Sequence, residues 1–256
     1  MNMEISKAAF YKITYEMTMA EHERFNIGTY KEKKLHKILK LCLEPDPAFH
    51  EIPCAGFIAD IKKEDSIIEI ETSGFTGLRD KLAAYLPEYH VTLVYPMAAS
   101  RSISWIDPDT GAITQKRRSP KKENVYDLLF ECIYIADFLT HPNLTILGVC
   151  LEMEEYRLLD GWSHDKKKGS HRYERIPIDI YDTICLHGKE SYAARIPESC
   201  RDDFTVSAFR EAAKINEYTA RAILKVLQKT GVIVQSGKKG RCLLYSRTDG
   251  ISQENG

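Results

Sequence analysis

Asp60, Glu69 and Glu71 set three carboxylates within twelve positions, close enough for metal or acid–base work. They fall on two alternating stretches rich in β-branched residues, Cys54–Lys62 and Ile67–Thr72. The polar Lys63-Glu64-Asp65-Ser66 between them reads as a four-residue hairpin loop. A hairpin closed there pairs positions whose numbers sum to 129, which sets Asp60 opposite Glu69 and leaves Glu71 two residues along on the same face. Directly opposed like charges on a sheet stand about 5 Å apart and destabilise it. A fold keeps them where water solvates them or a cation neutralises them. The bland alternative is an alternating acidic strand with one wet face, decorated by Lys62.

The elements around this hairpin follow from periodicity. Residues 4–24 have helical composition, and a second helix over Tyr30–Leu43 carries Leu35, Ile38, Leu39 and Cys42 as an apolar stripe. Glu32 sits at one end of that stripe, and the lysines, Lys40 among them, are placed mostly on the other side. His36, four residues after Glu32, could join a site, but reads first as a partly exposed structural histidine. After the hairpin, Leu78–Leu86 is expected to be a helix with Lys81 bordering its apolar face, and His90–Tyr95 a buried strand parallel to the second arm. Asp107-Pro-Asp-Thr-Gly111 marks a turn between Ser102–Ile106 and Ala112–Gln115, a second hairpin projecting from the sheet. Asn124 caps a helix running to about Leu139, Asn143–Tyr156 is a strand candidate, and Ile176–Leu186 a short strand or turn region. Basic runs at Lys116–Lys122 and Lys166–Arg172 suit phosphate contacts, the second more so, with Trp162 and Tyr173 as stacking or packing residues; the bland reading, preferred for Trp162, is a solvated charge run anchored to the core by its aromatics.

From Asp203 the pattern changes. A short helix from Phe204 to Lys214, a turn at Ile215-Asn216, a helix Glu217–Thr230 with Ala220, Ile223, Leu224 and Leu227 inward, and a hairpin around Gly237-Lys-Lys-Gly240 make the winged helix-turn-helix pattern. The whole chain has 36 Lys/Arg and 37 Asp/Glu. Ten of the basic and six of the acidic residues lie from Arg201 onward, so the tail carries +4 and residues 1–200 carry −5. A basic tail on an acidic body points to polyanion contact through the tail. On this pattern Tyr218, Arg221 and Lys225 would face DNA bases from the second helix, and Lys238, Lys239 and Arg241 would meet phosphate from the wing. Three units are expected: a body over 1–196, the winged unit over 197–247, and a disordered tail over 248–256.

Several classes lose weight. The seven cysteines are scattered, never two to four apart, and most sit in apolar runs, which excludes zinc-type spacing and argues for buried thiols. No Gly-x-Gly-x-x-Gly, Walker loop, Gly-x-Ser-x-Gly or His-Glu-x-x-His is present. No apolar run approaches a membrane span and the N-terminus lacks signal-peptide order, so a cytoplasmic protein with no membrane partner is expected.

Glu32 on a helix, Asp60 on one strand and Glu69-x-Glu71 on the next together resemble the PD-(D/E)xK nuclease superfamily over roughly residues 25–100. The resemblance implies an α/β fold, a restriction-endonuclease-like mixed sheet flanked by helices, with the small C-terminal winged helix-turn-helix beside it. It also implies that Glu32, Asp60 and Glu69 hold Mg²⁺ with the Ile70 carbonyl, that Glu71 orients water, and that Lys81 or Arg79 steadies the phosphate. Hard oxygen ligands on rigid strands suit that ion. The departure is Glu71, where the superfamily has Lys; some members carry Glu-x-Glu, and in others the lysine has moved to the following helix, where Lys81 stands. The functional expectation is a Mg²⁺-dependent nuclease docked on DNA, paired as a homodimer as such proteins often are. The alternative is a non-catalytic DNA-binding regulator whose degenerate nuclease-like body serves dimerisation or partner binding. End to end, the chain also resembles a family of uncharacterised bacterial proteins, through Ile67–Thr72, Val94–Pro96, Trp105–Pro108, Ser119–Lys122 and Glu155–Trp162.

Overall fold

The computed structural model describes residues 5–22, 34–161 and 169–248. Glu32 and Trp162 lie outside them, as do Lys166–Lys168 of the second basic run and the tail beyond Thr248. In chain order the helices are α1 (Lys7–His22), α2 (Lys34–Leu43), α3 (Arg79–Tyr85), α4 (Val125–Glu131), α5 (Gly188–Ala193), α6 (Val206–Ala213) and α7 (Glu217–Lys229). The strands are β1 (His50–Cys54), β2 (Phe57–Lys63), β3 (Ser66–Ile70), β4 (His90–Ile106), β5 (Arg117–Arg118), β6 (Leu144–Leu158), β7 (His171–Leu186), β8 (Phe204–Thr205), β9 (Ile233–Lys239) and β10 (Cys242–Arg247).

The main sheet runs β1-β2-β3-β4-β6-β7, with β5 added to β4. Strands β1, β2 and β3 are an antiparallel meander, β3, β4 and β6 are parallel, and β7 returns antiparallel. The chain is therefore a mixed α/β protein with a large mixed sheet flanked by helices. One face buries Ile61, Ile70, Val94, Val149, Leu151 and Met153 under Phe10 of α1 and Leu35, Ile38 and Leu39 of α2. On the other, Ile67, Val91, Leu93 and Met97 pack with Leu82 and Tyr85 of α3 and Leu128 and Leu129 of α4. The same apolar cluster continues without a break into Phe209 of α6 and Ile223, Leu224 and Leu227 of α7.

The predicted hairpin is present with changes. Its register holds, since Ile61 pairs Ile68, Lys62 pairs Ile67 and Lys63 pairs Ser66. The loop is only Glu64-Asp65, with Glu64 at φ 44. The expected arm Cys54–Lys62 is not one strand: Ala55 and Gly56, at φ 47 and 83, turn the chain back onto β1. Positive φ at both central residues defines the tight hairpin turn that matches strand twist, and Gly56 supplies it without steric cost. The second hairpin turns at Asp107–Gly111 as read, but its first arm and the strand from His90 are one element. Strand β4 runs unbroken to Ile106, the return pairs with it at Ile113, and Arg117 and Arg118 pair with Ile103 and Ser102. The region after Asn143 gives two long strands, and β7 reaches back to His171, so part of the expected basic loop is sheet.

Beyond β7 the main chain makes α6, a turn with Lys214 at φ 54, and α7 capped by the Asn216 side chain on the Thr219 amide. Gly231 at φ 71 ends that helix, and β9 and β10 form a hairpin completed by β8. Thr205 caps α6 through the Ala208 amide.

Candidate functional site

The register that pairs Ile61 with Ile68 would bring Asp60 opposite Glu69, but the ladder stops there. The Ile70 amide donates instead to Asp60 Oδ2 at 2.8 Å. The same oxygen is 3.0 Å from Nε2 of His36 on α2. The two strands thus part around a carboxylate rather than closing on it. Burial works to raise the Asp60 carboxyl, yet the His36 hydrogen bond and charge and the Ile70 amide outweigh it. Its pKa lies below the ordinary carboxylate range. His36, whose ordinary reading was structural, thus joins the site; its signal in the sequence was a helical position one turn after Glu32.

Glu69 is 2% exposed. Its Oε2 accepts a 2.7 Å hydrogen bond from Lys81 Nζ on α3, whereas Oε1 has no partner. Burial pushes its pKa up to about 7, Asp60 and Glu71 add repulsion, and Lys81 offsets only part of this. Glu71 follows β3, with its amide donating 2.8 Å to the Val94 carbonyl. Burial first and the Asp60 charge second raise it to about 7 as well. The fully buried Tyr85 hydroxyl is unpartnered too, and burial and the nearby Glu69 charge raise its pKa. Removing two carboxylates from water beside a third creates the deficit; one lysine does not cancel it.

Lys81 therefore reaches the acids, and Arg79 does not. Arg79 donates to Asp137 at 2.7 Å, and Lys229 of α7 holds the other oxygen of that aspartate at 2.9 Å. Lys40, placed on the wet side of α2 from its sequence, is 3% exposed and donates to Glu51 at 3.0 Å. Its ammonium lies in the field of Asp60, which explains a lysine pointing inward. Among the described residues no three His, Cys, Asp or Glu side chains are grouped closely enough to hold a metal ion together, and Glu32 is outside them.

A second charged cluster went unread in the sequence. Glu155 on β6, 1% exposed, is met by Arg157 Nε at 2.7 Å, Arg101 at 3.2 Å and Arg172 at 3.6 Å. Arg175 joins from β7 and donates at 2.6 Å to the Thr72 carbonyl, just past Glu71. Although burial opposes it, the arginines hold the Glu155 carboxyl below its usual value. The available signal was alternation, Glu155-x-Arg157 on one strand and Arg175 opposite Glu155 on the next.

In the C-terminal unit Tyr218, Arg221 and Lys225 lie along one exposed stripe of α7. Tyr218 is 73% exposed with its ring 5.7 Å from Phe130, and Arg221 is paired with Glu217 at 2.6 Å. Lys238, Lys239 and Arg241 are exposed at the tip of the β9–β10 hairpin. The seven cysteines are all free; Cys54, Cys132 and Cys200 are buried, while Cys185 and Cys242 are exposed, against the expectation from their apolar neighbours. No helix among the described residues is long and apolar enough to cross a membrane.

Together these elements define a mixed α/β protein with a carboxylate cluster where the first parallel strand of its sheet ends. Residues 33–187 match the family model described as "Domain of unknown function (DUF8091)", and the chain belongs to that family. The matched span includes His36, Asp60, Glu69, Glu71, Lys81 and the arginine cluster, and it ends before α5. The chain is similar to an uncharacterized protein of Treponema pallidum (strain Nichols), 27% identical over 227 residues that cover 86% of this chain and 87% of the other. No solved structure matches it.

Proposed function

We propose that the protein is a Mg²⁺-dependent phosphodiesterase acting on DNA, with a PD-(D/E)xK-like body and a winged helix at its C-terminus. The observation that carries the reading is the parted β2–β3 pair. It holds Asp60 ionised through His36 and the Ile70 amide, and it leaves Glu69 with one buried, unmatched oxygen beside Lys81. Carboxylates that outnumber the one lysine beside them suit a hard divalent cation. Asp60 and Glu69 would hold the ion, with Glu32 as the further ligand implied by the resemblance. Bound there, it would polarise the scissile phosphate and lower the pKa of a water.

The protein's own groups do the rest. Glu71, with a pKa of about 7, is partly ionised at neutral pH and so is matched to accept a proton from an attacking water. Lys81 stands where it neutralises Glu69 and can steady charge growing on the phosphate. Arg79 is engaged by Asp137 and is left out of this role. The exposed residues Tyr218, Arg221 and Lys225 of α7 and Lys238, Lys239 and Arg241 at the hairpin tip would dock the protein on a duplex.

One observation favours the second reading, a DNA-binding regulator without catalysis: Glu71 stands where the superfamily has its lysine. Incubation with plasmid, single-stranded and branched DNA in Mg²⁺ or Mn²⁺ separates the two. Metal-dependent cleavage that Asp60→Ala abolishes supports the enzyme. Intact DNA binding with no cleavage of any substrate supports the regulator. Unchanged affinity in the Lys238→Ala, Lys239→Ala double variant removes the hairpin from the docking surface.

A further inference from the structure

Strand β3 leaves the sheet after Glu71, whose amide bonds to Val94 of β4. Strand β4 continues to Ile106 with β6 along its other edge, so the lane beside it falls empty past Val94. The chain refills that lane from the opposite direction. Ile113 pairs with Ile106, Arg117 and Arg118 pair with Ile103 and Ser102, Ser119 donates to the Arg101 carbonyl, and Glu123 donates to the Ala98 carbonyl. The basic segment therefore runs toward Glu71. From Ala98 to Val94 is about 13 Å at ~3.3 Å per residue.

Arg117, Arg118, Lys121 and Lys122 are all exposed. None has a carboxylate within 4.0 Å among the described residues, unlike Lys116, which pairs with Glu154. Arg117 and Arg118 are held in the lane by pairing with β4, and Lys121 and Lys122 lie in the stretch tethered to β4 by the Ser119 and Glu123 amides. Behind them lies the second observation. Among the described residues Arg101, Arg157 and Arg172 meet no carboxylates within 4.0 Å but Glu123 and Glu155, Arg175 meets none, and the side-chain Nε–H groups of Arg101 and Arg175, residues 8% and 9% exposed, have no acceptor. The arginine cluster is short of negative charge and of acceptors.

We propose that the lane of Arg117, Arg118, Lys121 and Lys122, backed by the arginine cluster at the end of β3, is a binding track for the phosphodiester backbone of a nucleic-acid strand. The track leads the strand to the carboxylates, and so deepens the nuclease reading on which it rests. Its ~13 Å approach matches about four nucleotides of a B-form strand at ~3.4 Å rise each. Burial and the Arg172 charge together lower the Arg175 pKa to about 10, which agrees with a surplus of guanidinium there.

The test is DNA affinity of the full chain in EDTA, over a salt series, with labelled single-stranded and duplex oligonucleotides. Replacing Arg117, Arg118, Lys121 and Lys122 by Ala together is expected to weaken binding at least about tenfold. It should also flatten the log–log salt slope by roughly 3, at ~0.7–0.9 for each phosphate no longer neutralised. The Lys238→Ala, Lys239→Ala variant should lower the slope separately and additively. Arg118→Gln with Lys122→Gln is the milder variant should the fourfold one fail to fold, and it should remove about half the effect. Unchanged affinity and slope in the folded variants overturn the track. So does binding to phosphatidylserine vesicles that depends on these four residues while DNA binding does not. Cleavage plays no part in the measurement, so failure of the nuclease reading and failure of the track give different results.

Discussion

Replacing Glu71 by glutamine is expected to stabilise the metal-free protein, and to do so only at the alkaline end. Burial and the Asp60 charge raise the Glu71 carboxyl from 4.5 to about 7. At about 1.4 kcal/mol per pH unit this rise amounts to about 3 kcal/mol. The sign follows from proton counts. Between 4.5 and about 7 the folded state holds a proton that the unfolded chain has released, so stability falls as pH rises through that window. The cost is complete above it and absent below. Glutamine has the same shape and no charge, so Glu71→Gln should gain about 3 kcal/mol at pH 8 and almost nothing at pH 4.5. In melting temperature that is roughly 6–12 °C, at ~2–4 °C per kcal/mol for a chain of this size. Urea titrations of both proteins at the two pH values measure it, and millimolar Mg²⁺ should shrink the gain at pH 8 by neutralising the parent's carboxylates. A variant no more stable than its parent at pH 8, or equally favoured at both pH values, would refute the buried-charge account.

Lys81→Met strips Glu69 of its cation and should cost about 2–3 kcal/mol at pH 8 and clearly less at pH 5.5, where Glu69 can stay protonated; urea titration at both pH values checks this. His36→Ala frees Asp60 Oδ2 from its partner and should weaken Mn²⁺ or Mg²⁺ binding roughly 10–100-fold by calorimetry while leaving the secondary structure intact. Ile223→Ala opens the cluster that joins α7 to the sheet and should cost about 2–5 kcal/mol, with the two probes, Trp fluorescence and far-UV dichroism, still melting together. Separate transitions in the parent would mean that the shared cluster does not couple the C-terminal unit to the body.

Short-range periodicity set a good deal of this protein. The stripe Leu35, Ile38 and Leu39 is buried as its 3.6-residue spacing requires, and the inward face of α7 is Ala220, Ile223, Leu224 and Leu227. The β2–β3 register was legible because a two-residue slip in loop length leaves the pairing sum unchanged, and a one-residue slip would turn every side chain to the wrong face. The cap at Asn124 was legible because it acts within three residues of itself, whereas Asn216 read only as part of a turn.

Tertiary structure decided the rest. The turn at Ala55-Gly56 hides inside an apolar alternation, and only pairing with β1 shows it. Strand β7 reads as irregular because its polar residues meet charges from other strands, Arg175 finding Glu155 and the Thr72 carbonyl. Lys40 looked solvated until Glu51 and Asp60 came close to it in the fold. Most of all, the sequence by itself supplied acids at Asp60, Glu69 and Glu71 and a lysine at position 81, but not their relation. That relation depends on two strands parting at Ile70 and on α3 crossing back over β3, and the raised carboxyls depend on burial that no local pattern measures. Which charges a residue feels is a property of its neighbours in space, so the sequence named the groups and the packing set their chemistry.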